Sequence, residues 1–163
     1  MKRTFVIITA CLCSLLFLFP SSLQAQLAAK KALTLEAAKK LASFAEADAL
    51  KNKWTMVFAI VDDGGNLVYL QRMDNTQIGS IEVAIKKATS AISFKRPTKA
   101  FEDMVAGGKT DILGLPGAIA IEGGVPIVIE GQYIGAIGVS GGTRQQDGAV
   151  AKAALDAFSP PLK

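Results

Sequence analysis

Lys87 and Asp147 are the two ionisable residues of this sequence whose types and positions could support acid–base chemistry. Lys87 lies in a helical pattern, residues 78–94, on the side that also carries Val83 and Ala91. With a carboxylate as its partner, an amine in this setting could act as a base. The spacing favours a simpler alternative, in which the stem of Lys87 lies on apolar surface and its ammonium reaches the boundary with water.

Asp147 also has two interpretations. It lies in the first turn of the last predicted helix, on the face that carries the apolar residues following it. A carboxylate there either stabilises the positive end of the helix dipole or is directed into the glycine-rich stretch that precedes the helix. The sequence leaves both interpretations open.

The residues on which most acid–base and thiol chemistry depends are missing. The sequence has no histidine, and its 2 cysteines, Cys11 and Cys13, both lie in the N-terminal leader. The rest of the chain therefore offers no imidazole base, no thiolate nucleophile and no imidazole or thiolate metal site. These absences favour a binding protein over an enzyme, and we assign no catalytic residue.

A second group of residues could bind a small anionic molecule. Arg72 and Lys87 carry charges that hold carboxylates, and glycines allow a ligand to approach the backbone closely. The predicted ligand-binding residues are Arg72, Asp74, Lys87, Gly124, Pro126, Ser140, Gly141 and Asp147. The alternative is structural: the glycines would be turn residues, and Arg72 and Asp74 would form a surface ion pair.

The stretch that must position these groups is residues 123–142, GGVPIVIEGQYIGAIGVSGG. Its two apolar, β-branched runs flank Glu130-Gly131-Gln132, which predicts a hairpin with a tight turn at Gly131. Pro126 cannot donate to a strand ladder, so it belongs at a strand start or on an edge strand. The small residues of the second run allow either a helix or a ligand to approach the strand closely.

The remaining pattern predicts an α+β fold, in which helices pack on a largely antiparallel sheet of five strands. A continuous apolar run at residues 55–61 predicts a first strand that is covered on both faces. Thr143 and Gln146 form a capping box that starts the last helix. The predicted elements are a helix at 35–51, a first hairpin of strands at 55–61 and 67–73, helices at 78–94 and 99–106, a strand at 118–121, the second hairpin and the last helix.

The N-terminus predicts export. Met1-Lys2-Arg3 is basic, residues 4–19 are largely apolar, and small residues before position 26 suit cleavage after Ala25. We therefore predict a signal peptide at residues 1–25, a single domain at 26–163 and a periplasmic or secreted location. The apolar run is shorter than a bilayer span requires, and it lies within the predicted signal peptide. No membrane span is therefore expected after cleavage.

The net charge of +4 depends partly on the leader. Without Lys2 and Arg3 the chain has 16 basic and 14 acidic residues. No basic patch with interleaved aromatic residues occurs, so we expect no nucleic-acid partner.

Taken together, these segments resemble the GlcG/HbpS family, the haem-degrading or haem-binding domain family. The match extends from about residue 33 to residue 158. The resemblance is carried by LTLEAA at 33–38, VDDGG at 61–65, RMD at 72–74, KATSA at 87–91, GGVPI at 123–127 and IGAIGVSGG at 134–142.

The resemblance implies a five-stranded antiparallel sheet similar to profilin-like and PAS-like folds. It also implies homo-oligomers and, in some members, a bound haem or other tetrapyrrole. We therefore expect an exported, oligomeric protein that binds a small anionic ligand or a tetrapyrrole, with haem as a possible cofactor. The alternatives are an enzyme acting on a small organic acid or on haem, and a purely structural interaction module.

A haem iron needs an axial ligand, usually histidine, cysteine, methionine or tyrosine. Without the first two, the candidates that remain are Met56, Met73, Met104, Tyr69, Tyr133, Thr89 and Lys87. Met56 and Met73 are at strand ends, where methionine more often fills a core.

Overall fold

A four-stranded antiparallel sheet organises residues 28–158, the part of the chain that this computed structural model describes. Its strands are β1 (Val57–Asp62), β2 (Leu67–Arg72), β3 (Gly124–Ile129) and β4 (Gln132–Ser140), in the order β2-β1-β4-β3. The helices are α1 (Leu35–Lys51), α2 (Ser80–Ser93), α3 (Thr98–Ala106) and α4 (Arg144–Phe158), with a 3-10 helix at Thr110–Gly114. The predicted α+β class and both hairpins are confirmed.

The prediction of a fifth strand at residues 118–121 is wrong for the described chain, which has four strands. The backbone groups of this segment find other partners than a strand ladder. The N–H of Ile119 donates to Ser90 Oγ at 3.0 Å, and the N–H of Ala118 donates to the carbonyl of Leu115 at 3.1 Å. These two N–H groups are satisfied by a side chain of α2 and by a turn, not by a neighbouring strand, and the segment is a loop.

Helices cover both faces of the sheet. On one face, α1 and α4 enclose a core that includes Phe58 and Ile137; on the other, α2 packs on Val57 and Ala59. Residues 57–61 are fully buried, which confirms the two-sided cover that the apolar run predicts. Pro126 lies in β3, an edge strand, where its missing N–H removes no ladder bond that a central strand would need.

Glycines let α2 approach the sheet. A Cβ atom at Gly138 would lie 2.0 Å from the carbonyl oxygen of Ala84, and one at Gly124 would lie 2.2 Å from that of Lys87. Both separations are impossible for carbon and oxygen, so only glycine permits this packing. At these positions the small residues therefore allow a helix, and not a ligand, to approach the strand closely.

The start of α4 follows the predicted capping box. The N–H of Thr143 donates to Gln146 Oε1 at 2.9 Å, and the N–H of Gln146 donates to Thr143 Oγ1 at 3.3 Å. These bonds satisfy donors that the helix itself leaves free and fix where α4 begins. Asp147 is thereby held in the first turn, next to the end of β4.

The predicted signal peptide at residues 1–25 lies outside the described residues. Within residues 28–158, none of the helices has the length and hydropathy that a bilayer span requires.

Candidate functional site

A buried ion pair lies at the end of β4. Lys87 Nζ donates to Asp147 Oδ2 at 2.6 Å and to the carbonyl oxygen of Val139 at 3.0 Å. The side chains of Lys87 and Asp147 are only 1% and 4% exposed. The favoured interpretation of Lys87, an ammonium at the boundary with water, is therefore wrong. Its partner lies 60 residues away in the sequence, so the helical spacing around Lys87 could not indicate it.

The second carboxylate oxygen of Asp147 is also occupied. Oδ1 accepts a hydrogen bond from the backbone N–H of Gly142 at 3.0 Å. Burial raises the pKa of Asp147, while Lys87 and the backbone N–H groups of Gly142 and Gly141 oppose that rise. The carboxylate of Asp147 is therefore directed toward the glycine-rich stretch, as the second of its two interpretations predicts. The residue also occupies the first turn of α4.

Gly123 closes this end of the molecule. Its φ of +128° is one that residues with a side chain rarely adopt. A Cβ atom there would lie 2.7 Å from the carbonyl oxygen of Val139 and 2.8 Å from Lys87 Nζ. We call Lys87, Val139, Asp147 and Gly123 the closed end. Its glycine backbone packs directly on the ion pair and leaves no room for a ligand at the ammonium.

Two glutamates next to the closed end were not predicted. The carboxylate of Glu122 packs against Gly148, where a Cβ atom would lie 2.2 Å from Oε1, and burial raises the pKa of Glu122. Glu102 Oε2 accepts a hydrogen bond from the N–H of Glu122 at 2.7 Å. Arg144 Nε lies 3.6 Å from Glu102 Oε1. These contacts join α3, the loop before β3 and α4 around the closed end.

The predicted ligand-binding residues separate into two groups. The first group lies at or beside the Lys87–Asp147 pair: Ser140 ends β4, Gly141 follows it, and Gly124 and Pro126 lie on the neighbouring strand β3. The second group is Arg72 and Asp74. Arg72 and Asp74 are exposed at the end of edge strand β2. Arg72 pairs with Val57, which pairs with Ser140, so Arg72 is two strands away at the same level of the sheet.

The alternative interpretation of Arg72 and Asp74, a surface ion pair between them, is wrong. Within the described residues, no ion pair joins these two side chains. Their possible contact with a ligand stays a prediction.

A pocket of about 500 Å³ opens at the other end of β4, beside the β3–β4 turn. β4 rises about 3.4 Å per residue, so Tyr133 in this pocket and Val139 at the closed end are roughly 20 Å apart. We call this cavity the open pocket. Its lining residues are Ala29, Lys30, Asp63, Ile92, Lys95, Gly131, Gln132 and Tyr133.

The open pocket presents charge and an aromatic ring together. Lys95 Nζ lies 5.5 Å from the centre of the Tyr133 ring, and Lys30 forms an ion pair with Asp63. The backbone of Lys95 is left-handed, with φ +50°, in the segment that follows α2. Sequence reasoning named Tyr133 only as a possible iron ligand and missed Lys95, because neither its conformation nor its neighbour is encoded in a local motif.

An exposed apolar surface follows α3. Leu113, Leu115 and Ile121 are 63%, 41% and 47% exposed, and we call these three residues the apolar segment. The 3-10 helix that carries Leu113 packs against α3, which carries the half-buried Met104. Several large apolar side chains exposed within a short stretch are typical of a surface that binds a ligand or another protein.

Most candidates for an iron ligand are unavailable. Met56 and Met73 are buried in the core, and the hydroxyl of Tyr69 donates to Gln71 Oε1 at 3.4 Å. Lys87 is committed to Asp147. Thr89 Oγ1 donates to the carbonyl oxygen of Gly65 at 3.5 Å. The candidates that remain outside the core and outside these contacts are Met104 and Tyr133. Residues 28–158 contain no group of three or more His, Cys, Asp or Glu side chains that could hold a metal ion.

Comparison with known proteins agrees with the fold. A crystal structure of Klebsiella pneumoniae protein ORFY superposes with a TM-score of 0.77 at 37% sequence identity, covering 87% of this chain and 100% of that one. A PduOC–haem complex superposes with a TM-score of 0.71 at 29% identity, covering 78% and 95%. Protein GlcG of Escherichia coli K12 is 41% identical over 111 residues, which are 68% of this chain and 83% of GlcG.

The sequence profile of one family matches nearly the whole described chain. The family is described as "Haem degrading protein HbpS-like", and its match covers residues 33–156. This range begins just before α1 and ends within α4, so it includes the sheet, the closed end and the apolar segment. The chain therefore belongs to the HbpS-like family, as its sequence motifs indicate.

Proposed function

We propose that this protein is an exported, homo-oligomeric small-molecule-binding protein whose ligand is haem or another tetrapyrrole. The observation that carries the proposal is the exposed apolar segment, whose 3-10 helix packs against α3, the helix that carries Met104. A tetrapyrrole presents a flat apolar face that gains free energy when apolar side chains cover it. The related PduOC structure, which is a haem complex, supports this choice of ligand.

The residues around the apolar segment fit a haem group. Leu113 and Leu115 would cover the macrocycle, and Met104 would supply a thioether, a recognised axial ligand of haem iron. Lys109 is exposed between α3 and the 3-10 helix and would pair with a propionate. Bound haem would supply redox chemistry at its iron, while this chain contributes the apolar cover and the charged contact.

Oligomer formation is part of the proposal for the same physical reason. One copy covers only one face of a flat ligand, and apolar side chains that remain exposed favour association. A second copy that adds its own apolar segment would complete the cover. Export is supported by the basic and apolar pattern of the first residues.

An enzyme that uses Lys87 as a base is the less favoured alternative. The ammonium of Lys87 is buried, donates to two protein oxygens and is covered by Gly123. A base must come within hydrogen-bond distance of the substrate proton. The closed end therefore supports a structural role, in which the ion pair joins α2 to α4.

Titration of the purified protein with haem tests the proposal. We expect a saturable shift of the Soret band, which Met104→Leu should change in position and weaken in affinity. Met56→Leu is the matched control, because Met56 is fully buried and should leave the spectrum unchanged. A shift that does not saturate would contradict tetrapyrrole binding, and a spectrum changed by Tyr133→Phe instead would place the iron at the open pocket.

A further inference from the structure

We propose that the open pocket binds a small organic monocarboxylate with a flat apolar body, such as an aromatic carboxylate. This site is separate from the apolar segment, and the proposal does not depend on haem binding. Its volume of about 500 Å³ suits a small molecule.

The charge of the open pocket selects an anion. Lys30 is paired with Asp63, and the neighbouring Lys31 is paired with Glu130 at 2.6 Å. Within residues 28–158, Lys95 has no carboxylate partner. Among the residues that line the pocket, Lys95 is therefore the cation without a carboxylate partner, and it can pair with a single carboxylate.

Hydrogen-bond donors point to the same class of ligand. The ammonium of Lys95 has three donors, and the hydroxyl of Tyr133 has one. Gln132 Oε1 already accepts from the backbone N–H of Lys31 at 2.9 Å, so its amide nitrogen keeps two donors. A ligand that meets mainly donors must supply acceptors, and a carboxylate supplies two oxygens that accept several hydrogen bonds.

The walls of the open pocket select the rest of the ligand. The ring of Tyr133 and the side chains of Ile92 and Ala29 provide apolar contact beside the charge. Aromatic rings pack favourably in offset or edge-to-face arrangements, so a flat ring can lie against Tyr133. Lys95 Nζ already lies over one face of that ring, which places the positive charge next to the apolar wall.

The proposal can be tested with 4-fluorobenzoate as the probe, observed by ¹⁹F NMR titration of the purified protein. The neutral 4-fluorobenzamide keeps the ring and removes the charge. We expect saturable binding of 4-fluorobenzoate and at least about fivefold weaker binding of the amide, because a charged hydrogen bond is lost.

Two lysine variants complete the test. Lys95→Gln should weaken binding of 4-fluorobenzoate by about fivefold or more. Lys53→Gln is the matched control, because Lys53 is also exposed and left-handed, with φ +59°, but does not line the pocket. Equal affinities for the acid and the amide, equal affinities of the two variants, or no saturable binding would each overturn the proposal. None of these outcomes bears on the Soret titration, so the two proposals fail separately.

Discussion

Lys87 and Lys95 show how one residue type serves two purposes at opposite ends of the same sheet. Lys87 lies within α2, is 1% exposed and donates to Asp147 and Val139. Lys95 follows α2, is exposed and lies over the ring of Tyr133. A buried charge must be paired within the protein because desolvation is costly, whereas an exposed charge remains available to a ligand. The closed end therefore stabilises the fold, whereas the charge of Lys95 in the open pocket is not used in this way.

The largest expected effect is the removal of the buried ammonium. Lys87→Met leaves the Asp147 carboxylate buried without its cation, which should lower the free energy of unfolding by about 3–5 kcal/mol. Urea unfolding followed by circular dichroism measures the change. Lys86→Met is the control, because Lys86 is the exposed neighbour in the helix and should show no measurable loss.

A second variant separates lost pairing from lost packing. Adding Asp147→Asn to Lys87→Met removes the unpaired charge and keeps an oxygen that can accept from Gly142. The double variant should regain most of the lost stability. If the double variant is no more stable than Lys87→Met alone, the unpaired Asp147 carboxylate is not the cause of the lost stability.

The next largest effect is expected at the glycine that covers the pair. Gly123→Ala forces a side chain onto a backbone with φ +128° and against Val139 and Lys87, and it should cost about 2–3 kcal/mol. Gly79→Ala is the matched control, because a Cβ atom at Gly79 meets nothing within 4 Å. If the two variants have similar unfolding midpoints, the closed end can move to accommodate a side chain at Gly123, contrary to this prediction.

A smaller effect is expected in the pH dependence of Lys87→Met. Burial raises the pKa of Asp147, and removal of Lys87 should raise it further. A carboxyl group whose pKa is higher in the folded state stabilises the fold below its unfolded pKa, near 3.9, and this stability is lost as pH rises through the folded pKa.

The stability deficit of Lys87→Met should therefore be smallest near pH 4 and grow toward pH 7. The growth is about 1.4 kcal/mol for each unit by which the variant's pKa for Asp147 exceeds that of the wild type. Urea unfolding at a series of pH values measures it. A deficit that is constant with pH, or one that grows equally in the variant that also carries Asp147→Asn, would contradict this assignment to Asp147.

Local signals in the sequence predicted much of the fold. Apolar runs and turn residues located both hairpins, and the capping box at Thr143 and Gln146 located the start of α4. The strand at residues 118–121 was predicted wrongly, because a short apolar run does not reveal that Ser90 takes one of its backbone donors.

The candidate site was less predictable because its contacts join distant segments. Lys87 and Asp147 were both selected for their chemistry, but their pairing depends on how α2 and α4 pack on the sheet. The open pocket combines residues from four separate segments of the chain, including the left-handed Lys95. No local pattern of residue types indicates such a combination.

The contrast between the two lysines can be tested in one comparison of urea unfolding, with Lys87→Met beside Lys95→Met at neutral pH. Both variants lose the same charged group from the same region of the chain. We predict a large loss of stability for Lys87→Met and no measurable loss for Lys95→Met, because only Lys87 is buried and paired with a carboxylate. Equal losses in the two variants would contradict the division between a buried lysine that stabilises the fold and an exposed lysine that does not.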